Sequence, residues 1–331
     1  MQISRGIARA PAQVDLTARR ALVTGAGGFV GRWLCRELAG AGWEVIGTTL
    51  ESAAGDQAEP VQWRYEDLRD AGAVADVVTS SRPDAIFHLA GIAFVPAAKR
   101  DPELAMRVNV GNAVRLLATV DELRVAGTCD PIVLLVGSAE QYGRHDAATM
   151  PLTERAVCAP RNLYAATKQA QEIFGLQAFC GTGTRVICTR SFNHSGPGQS
   201  PDFLLPALVR RVRAVQARHE HTIAIGNRDT VRDFLHVRDV ARAYLALVER
   251  GTAGEVYNVC SGVGSLVGDV VAEVCRIAGV DAEVTTDSSL QRAVDVPILV
   301  GSNDKLRAHT GWAPVLSRAD IITDLLNAAS H

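Results

Sequence analysis

The sequence predicts an α/β fold in which a doubly wound parallel sheet is followed by a smaller, mixed α/β C-terminal region. Short, continuously apolar runs such as "ALVT", "IFHLAG" and "IVLLVG" alternate with amphipathic stretches of helical period up to about residue 190. Such runs are typical of parallel strands that helices cover on both faces. A glycine-rich turn follows the first run, and the regular alternation ends in a loop rich in Gly, Pro and Ser.

Each strand is assigned from a short apolar run that ends at small or polar residues. The six expected strands lie, in order, in "ALVT" (Ala21–Thr24), "WEVIGTTL", "VQWRYEDL", "DAIFHLAG", "PIVLLVGSA" and "TRVICTR". The helices between them are expected directly after the glycine turn, near residues 71–80, over about residues 102–126 and from "NLYAATK" onward. This alternation predicts the doubly wound arrangement that binds dinucleotides.

The pattern becomes mixed after Arg190. "SFNHSGPGQSPDF" predicts a loop, and beyond it we expect helices near residues 204–217 and in "VRDVARAYLALVER", and strands in "HTIAIG" and "EVYNVC". The expected organisation is a loose N-terminal extension at residues 1–17, a dinucleotide-binding domain at residues 18–190 with residues 233–260 packed back on it, and a second binding region at residues 191–232 and 261–331.

Composition and charge limit the classes of protein that fit the chain. The 331 residues are 47% hydrophobic and 21% charged, with a net charge of −2, which predicts a globular protein without a nucleic-acid or acidic-membrane partner. The seven cysteines are odd in number and lack metal-type spacing, so we expect unbridged thiols, no metal site and a cytoplasmic location. No apolar run approaches the roughly 20 residues that span a bilayer.

The turn "GAGGFVG" places Gly25, Gly28 and Gly31 at three-residue spacing between a predicted strand and a predicted helix. Glycines permit a tight turn and a close approach of a pyrophosphate, and the N-terminus of the helix attracts its negative charge. In this strand–turn–helix context the motif predicts dinucleotide binding.

The strand ends that follow suggest how the rest of a dinucleotide would bind. Thr49 ends the second strand, where an acid usually binds the adenosine ribose of NAD, and no arginine follows directly to bind a 2′-phosphate. The choice between NAD and NADP therefore stays open, and Glu51 is either a ribose ligand or a solvated loop residue. Asp67, after the third strand, either binds the adenine amino group or caps a helix. "HLAG" brings small residues to the end of the fourth strand.

Four polar residues are expected at the carboxyl edge of the sheet. Ser138 and Glu140 follow the fifth strand, while Tyr164 and Lys168 lie one helical turn apart on the next helix. A tyrosine of pKa near 10 is a poor acid or base at neutral pH, but an adjacent ammonium would lower that pKa. The pair alone could be helix surface. The nearby serine and the glycine turn favour a catalytic pair, with Glu140 either a further acid/base or a loop residue.

The motifs together resemble the extended short-chain dehydrogenase/reductase family, in its nucleotide-sugar branch, from about residue 19 to residue 328. The residues that carry the resemblance are "TGAGGFVG", "DL" at Asp67–Leu68, "HLAG", "NVGNAVRLL", "SAEQYG", "YAATK", "NHSGPGQ", "RDFLHVRDVARAY", "GEVYNVCSG" and "KLRAHTGWAP". The resemblance implies a Rossmann fold, NADP or NAD as cofactor, and a homodimer. The implied cofactor-binding residues are Gly25, Gly28, Phe29, Val30, Gly31, Thr49, Asp67, Leu68, Leu89, Ala90, Gly91 and Lys168.

The resemblance also implies catalytic roles. Ser138, Tyr164 and Lys168 would form the catalytic group, in which Tyr164 exchanges a proton with a sugar oxygen. Lys168 would hold the nicotinamide ribose and lower the pKa of the tyrosine. The nicotinamide would exchange a hydride with the carbon that bears that oxygen.

Within this branch, "SFNHSGPGQSPDFLLPAL" looks most like reductases of GDP-4-keto-6-deoxymannose and their relatives, the GDP-mannose 4,6-dehydratases. The region at residues 191–232 and 261–331 would then bind a nucleotide-diphosphate sugar. Asn193 would contact the sugar diphosphate, and Arg232 and Arg292 would clamp it with their guanidinium groups. Otherwise Arg232 forms an internal salt bridge and Arg292 is a solvated charge.

Several residues depart from the family pattern. Leu163 precedes the tyrosine where proline is common, Gln141 replaces a customary valine, and Ser191 stands where many relatives have proline. Ala139 lacks the acid or hydroxyl typical of dehydratases, although Glu140 is retained. We therefore expect NAD(P)H-dependent reduction of a 4-keto-6-deoxy nucleotide sugar, with a dehydratase or epimerase as the alternative. A non-catalytic nucleotide sensor is disfavoured because the tyrosine and the lysine are both present.

Overall fold

The structure is a computed structural model. It describes residues 19–50, 60–70, 72–218, 221–290 and 296–328. Three expectations lie outside these residues, namely the N-terminal extension at residues 1–17, the alternative ribose ligand Glu51 and the diphosphate ligand Arg292.

The strands and helices of the described residues follow in chain order. The strands are β1 (Arg20–Thr24), β2 (Glu44–Thr49), β3 (Gln62–Tyr65), β4 (Ala85–His88), β5 (Ile132–Ser138), β6 (Val186–Ser191), β7 (Asn193–Ser195), β8 (Thr222–Ile225), β9 (Val231–His236), β10 (Val256–Val259), β11 (Gly264–Leu266), β12 (Glu283–Thr286) and β13 (Ile298–Leu299). The α-helices are α1 (Phe29–Gly40), α2 (Ala73–Ser81), α3 (Val95–Arg100), α4 (Pro102–Met106), α5 (Asn112–Val125), α6 (Leu163–Thr182), α7 (Leu204–Arg218), α8 (Val237–Arg250), α9 (Val267–Ala278), α10 (Asp304–Thr310) and α11 (Arg318–Ala328).

The main sheet has seven parallel strands in the order β10-β6-β5-β4-β1-β2-β3. The strand order reverses between β1 and β4, which is the switch point where doubly wound sheets bind ligands beyond their carboxyl ends. All six strands expected before Arg190 lie in this sheet, so the predicted fold class is confirmed. The long helix expected over residues 102–126 is divided into α4, a π-helical turn at Arg107–Gly111, and α5.

The central strands are buried on both faces because they are largely apolar, whereas the edge strand β3 is mostly exposed. On β1, Ala21 and Val23 pack into one core with α1 and α8, while Leu22 packs into the other core with α2 and α5. Continuous apolar strands therefore give two cores, one on each side of a single sheet.

The remaining strands form a second, mixed region. Strand β9 pairs with β11 in antiparallel fashion and with β13 and β7 in parallel fashion, and β8 pairs with β12. Helices α7, α9 and α11 pack beside these strands around a third core. Within residues 233–260, α8 packs against α1 and β10 pairs with β6 of the main sheet. None of the helices in the described ranges is long and apolar enough to span a membrane.

The buried centre of the main sheet should determine stability. Val133 on β5 is completely buried, whereas Val125 at the end of α5 is 76% exposed. We expect Val133→Ala to lower the free energy of unfolding by about 2 kcal/mol, because it removes buried methyl groups and leaves a cavity. Val125→Ala is the matched control and should change it by less than about 0.5 kcal/mol. Urea denaturation followed by circular dichroism measures both, and equal losses would contradict the assignment of the core.

Candidate active site

One cavity of about 860 Å³ lies at the carboxyl edge of the main sheet. Its walls come from the glycine turn, the ends of β2, β4 and β5, the first turns of α6, and the segment that follows β6. The predicted site residues that line it are Gly25, Gly28, Phe29, Val30, Gly31, Thr49, Asp67, Leu68, Leu89, Ala90, Gly91, Ser138, Glu140, Tyr164, Lys168 and Asn193. Residues separated by more than 160 positions in the sequence therefore meet at one site.

The glycine turn is packed too tightly for side chains. Gly25 has a φ of +72°, and a Cβ atom there would lie 2.9 Å from the backbone nitrogen of Ala90. A Cβ on Gly31 would collide with the carbonyl oxygens of Gly25 and Ala26. The N-terminal turn of α1 thus comes close to the strand ends and presents its backbone to the cavity, which suits a pyrophosphate.

The part of the cavity near β2 contains a charged pair that the sequence analysis did not identify. Arg69 lines the cavity beside Asp67 and donates from Nε to both carboxylate oxygens at 2.8 Å. Hydrogen bonds from Arg69 hold the pKa of Asp67 below its usual value. Although no arginine follows β2 directly, an arginine reaches this part of the cavity from the loop after β3. Thr49 lies there too, against Gly27, where a Cβ would collide with its hydroxyl.

Tyr164 occupies the first turn of α6, whose N-cap is Asn162. The Asn162 Oδ1 atom accepts a hydrogen bond of 2.8 Å from the backbone nitrogen of Ala165. Burial raises the pKa of the Tyr164 phenol to about 12, while hydrogen bonding to Ser138 opposes this shift and the charge of Glu140 adds to it. The phenol is therefore protonated at neutral pH.

Lys168 lies one turn further along α6 and is buried at the end of β5. Its ammonium donates to the carbonyl oxygen of Val136 at 2.8 Å and to Oε1 of Gln171 at 3.0 Å. Burial lowers the pKa of Lys168 to about 8. The prediction that this ammonium lowers the pKa of Tyr164 is wrong for the structure, because burial dominates the tyrosine and the lysine is bonded to Val136.

Glu140 lies in a 3₁₀ turn, Ala139–Tyr142, that directly follows β5. Its backbone nitrogen donates to the Ser138 hydroxyl at 3.2 Å, and its Oε2 atom accepts a hydrogen bond of 3.0 Å from Nδ2 of Asn162. The carboxylate is thereby tied to the N-cap of the helix that carries Tyr164.

The predicted substrate ligands lie at different distances from the cavity. Asn193, on β7, lines it directly. Arg232, on β9, is paired with Leu299 of the cavity wall but is not itself among the lining residues. The neighbouring Asp233 is fully buried and accepts hydrogen bonds from the backbone nitrogens of Ser261 and Gly262, which fixes this strand beside the cavity.

One wall of the cavity is apolar, which the sequence alone did not predict. Its members are Ile92, Ala93, Phe94, Val95, Leu104, Val108 and Phe203. The rings of Phe94 and Phe203 meet edge to face with their centroids 5.9 Å apart. The sequence does contain apolar residues directly after "HLAG" and within "SPDF". Exposed apolar residues beside a strand end that binds a ligand indicate that they line the ligand site.

The glycine turn, the strand-end serine and the helix with tyrosine and lysine face one cavity on a doubly wound sheet. This combination places the chain in the extended short-chain dehydrogenase/reductase class. Within that class it belongs to the GDP-mannose 4,6-dehydratase family, whose model matches residues 22–325.

Individual proteins are similar to this chain over most of their length. The GDP-6-deoxy-D-mannose reductase of Pseudomonas aeruginosa is 35% identical over 302 residues, which are 90% of this chain and 93% of that protein. The GDP-6-deoxy-D-talose 4-dehydrogenase of Aggregatibacter actinomycetemcomitans is 31% identical over 86% of this chain and 89% of its own. A structure of RMD from Pseudomonas aeruginosa complexed with NADPH matches with a TM-score of 0.81 and 32% identity, covering 95% of this chain and 100% of that chain.

Two glycines of α1 provide a matched test of the cofactor site. We expect Gly31→Ala to weaken NADPH binding at least about tenfold, because the added methyl group forces α1 away from the turn and such overpacking costs about 1–3 kcal/mol. Gly40→Ala, at a position with no heavy atom within 4 Å of the added Cβ, should leave the affinity unchanged. Isothermal titration calorimetry measures both, and equal affinities for the two variants would refute the assignment of the turn.

Proposed function

We propose that the chain is an NAD(P)H-dependent reductase of a 4-keto-6-deoxy nucleotide sugar, of the GDP-4-keto-6-deoxymannose class. The convergence of Ser138, Tyr164 and Lys168 beside the glycine turn, in one cavity, is the observation that carries the proposal. The similarity to a GDP-6-deoxy-D-mannose reductase over nine-tenths of the chain supports the choice of substrate.

The residues of the cavity fit a dinucleotide. The glycine cradle at Gly25 and Gly31 has backbone where side chains would stand, as a pyrophosphate requires. In this proposal Asp67 accepts from the adenine amino group, while the Arg69 guanidinium would neutralise an adenosine 2′-phosphate and the Thr49 hydroxyl would donate a hydrogen bond to it. The presence of Arg69 in the cavity wall favours NADP(H). The bound nicotinamide supplies the hydride.

The chain's own residues would supply the proton that the C4 oxygen takes up on reduction. A phenol whose pKa is about 12 stays protonated at neutral pH, so Tyr164 suits proton donation to the C4 oxygen better than proton abstraction from it. The Ser138 hydroxyl is the second hydrogen-bonding group beside that oxygen. Lys168 would hold the ribose, and its buried ammonium adds positive charge where the C4 oxygen develops negative charge.

A dehydratase or epimerase with recycled cofactor is the alternative, in keeping with the name of the matched family. Both reactions begin with abstraction of a proton from the C4 hydroxyl, which the raised pKa of Tyr164 disfavours. A dehydratase also needs a base at C5, for which Glu140 is the candidate. The lack of an acid or hydroxyl group at Ala139 favours reduction.

The substrate would extend from the nicotinamide end of the cavity toward β7 and β9. We propose that Asn193 contacts the sugar diphosphate and that Arg232 and Arg292 bind the diphosphate or nucleotide. The support for Arg232 is that its strand pairs with Leu299 of the cavity wall.

We also propose that the protein is a cytoplasmic homodimer. Helices α5 and α6 pack together and present Val114, Ile173 and Phe174 to solvent, which is apolar surface that a second copy would cover. None of the seven cysteines, all of which lie in described parts of the chain, forms a disulfide. Thiols of this kind fit a reducing compartment.

Cofactor stoichiometry tests the proposed reaction. A reductase given GDP-4-keto-6-deoxymannose and NADPH or NADH consumes one reduced cofactor for each sugar nucleotide. A dehydratase or epimerase converts its substrate with no net change in the absorbance of the reduced nicotinamide. Binding of both ligands without turnover would instead favour the sensor.

Removal of one hydroxyl group tests the proton donor. We expect Tyr164→Phe to lower turnover by roughly 100-fold or more, in the range of lost acid–base catalysis, while the cofactor still binds. Tyr257→Phe is the matched control, because Tyr257 is also buried but its hydroxyl bonds to His309 outside the cavity. Steady-state kinetics distinguishes them, and parent-like turnover by Tyr164→Phe would show that the catalytic assignment is wrong.

The carboxylate of Glu140 separates the two reactions. If the enzyme is a reductase, Glu140→Gln should retain most of its NAD(P)H-dependent turnover, because hydride and proton delivery to C4 need no base at C5. The amide also preserves a hydrogen-bonding partner for Asn162. In a dehydratase the same variant would oxidise C4 and then stall, leaving reduced cofactor on the enzyme. Single-turnover absorbance with a parent nucleotide hexose detects that species, and its accumulation would overturn the reductase proposal.

A further inference from the structure

Strand β5 extends beyond its neighbour β4 at the carboxyl edge of the sheet. The two strands pair in register up to His88 and Leu135. The Ile132 nitrogen donates to Asp84 on the β4 side, so every second residue of β5 directs its backbone groups toward β4. The Val136 carbonyl and the Ser138 nitrogen continue this series after β4 has ended, and they therefore need other partners.

Side chains take the place of the missing strand. The Val136 carbonyl accepts from the Lys168 ammonium at 2.8 Å and from Nε2 of Gln171 at 3.3 Å. The Ser138 nitrogen donates to Oε1 of Gln141 at 2.8 Å. Lys168 and Gln141 thus supply the hydrogen-bond partners that β4 does not reach, Lys168 at Val136 and Gln141 at Ser138.

The orientation of the Gln141 amide is determined by a buried ion pair. Its Nε2 atom donates to Oε2 of Glu172 at 2.8 Å and to Oε1 of Gln169 at 3.1 Å. Because a carboxylate only accepts, the amide nitrogen must face Glu172 and the amide oxygen must face Ser138. Glu172 is itself fixed by Arg190, which donates Nε to Oε2 at 2.9 Å and Nη2 to Oε1 at 2.7 Å.

The same ion pair also supports the other end of the 3₁₀ turn. The Arg190 guanidinium lies 4.8 Å from the ring centroid of Tyr142 and donates to the carbonyl oxygen of Glu154. The Tyr142 hydroxyl donates to Oδ1 of Asn258 at 2.7 Å. The turn that carries Glu140 is therefore held at both ends by groups that are almost completely buried.

We infer that Gln141 is a positioning residue for Ser138, which it holds by linking the Ser138 backbone to the Glu172–Arg190 ion pair. Replacement of a buried ion pair by apolar residues is often neutral for stability, so this arrangement is better explained by the geometry it imposes than by a gain in stability. The inference rests on the proposed function, in which the Ser138 hydroxyl contacts the reacting oxygen.

Gln141→Met tests the inference, because methionine preserves the length of the side chain and removes all three hydrogen bonds of the amide, to Ser138, Glu172 and Gln169. We expect kcat to fall about tenfold, since displacement of a reacting group by about 1 Å costs on the order of 100-fold. The KM values for cofactor and sugar nucleotide should stay near those of the parent. Hydrogen exchange at the Ser138 amide, measured by mass spectrometry of peptides spanning residues 136–142, should become faster.

Gln169→Met is the matched control. Gln169 contacts the Glu172 carboxylate at 3.4 Å and accepts from Nε2 of Gln141 at 3.1 Å, but it has no contact with Ser138 among the described hydrogen bonds. Without it, Gln141 keeps its shorter bonds to Ser138 and Glu172, both of 2.8 Å. Its kcat and the exchange of the Ser138 amide should match those of the parent. An unchanged kcat and exchange rate for Gln141→Met, or equal effects of the two variants, would overturn the inference.

Gln141→Glu gives a second test that does not depend on folding of the methionine variant. The protonated acid can accept from Ser138 and donate to Glu172, as the amide does, whereas the ionised form repels Glu172. The charged and titratable groups around this position are Glu172, Arg190, Tyr142, Glu154, Cys158 and Cys188. We expect its kcat relative to the parent to fall as pH rises, and a ratio independent of pH would count against the inference.

The two proposals fail in different ways. If the parent enzyme does not oxidise NAD(P)H with a 4-keto-6-deoxy sugar nucleotide, the proposed function fails. The exchange rate of the Ser138 amide in Gln141→Met and Gln169→Met still tests the positioning role, because it requires no substrate.

Discussion

The unequal length of two neighbouring strands is the constraint on which the site depends. Because β4 ends at His88 while β5 continues to Ser138, the sheet leaves a gap at the switch point. The gap leaves room for a ligand, since Ala90 and Gly91 are small and a Cβ atom on Gly91 would lie 3.5 Å from the Lys168 ammonium. It also leaves backbone groups of β5 to be satisfied by side chains. The lysine proposed to hold the ribose therefore also completes the strand, through Val136.

Burial determines the protonation states of the ionisable groups in the site. It lowers the pKa of Lys168 to about 8 and raises that of Tyr164 to about 12, so it disfavours the charged form of both groups. His88 obeys the same rule: burial lowers its pKa to about 3, and its neutral ring bonds through Nδ1 to the Thr24 hydroxyl at 2.8 Å. Burial of this kind keeps a tyrosine protonated, which suits the donation step of a reduction.

The fold and the glycine turn could be predicted because they follow from local pattern. Continuous apolar strands, helical spacing and glycines at Gly25 and Gly31 each reflect a short-range rule. The convergence of Ser138 with Tyr164 was also predictable, because parallel strands end at the same edge of a sheet. The Asp67–Arg69 pair and the apolar wall were missed because side-chain direction in loops follows no period. The pKa of Tyr164 was predicted wrongly because the sequence gives charge but not burial.

The segment after β5 and the first turn of α6 hold the proton donor and a carboxylate close together. Asn162 caps the helix that carries Tyr164 and also donates to Glu140, so one side chain fixes the positions of Tyr164 and the carboxylate relative to each other. One hydrogen bond orients a carboxylate without exhausting its capacity to accept others. The presence of Glu140 therefore does not decide between reduction and elimination. The reductase proposal rests instead on the protonated Tyr164 and on Ala139, which supplies no second polar group.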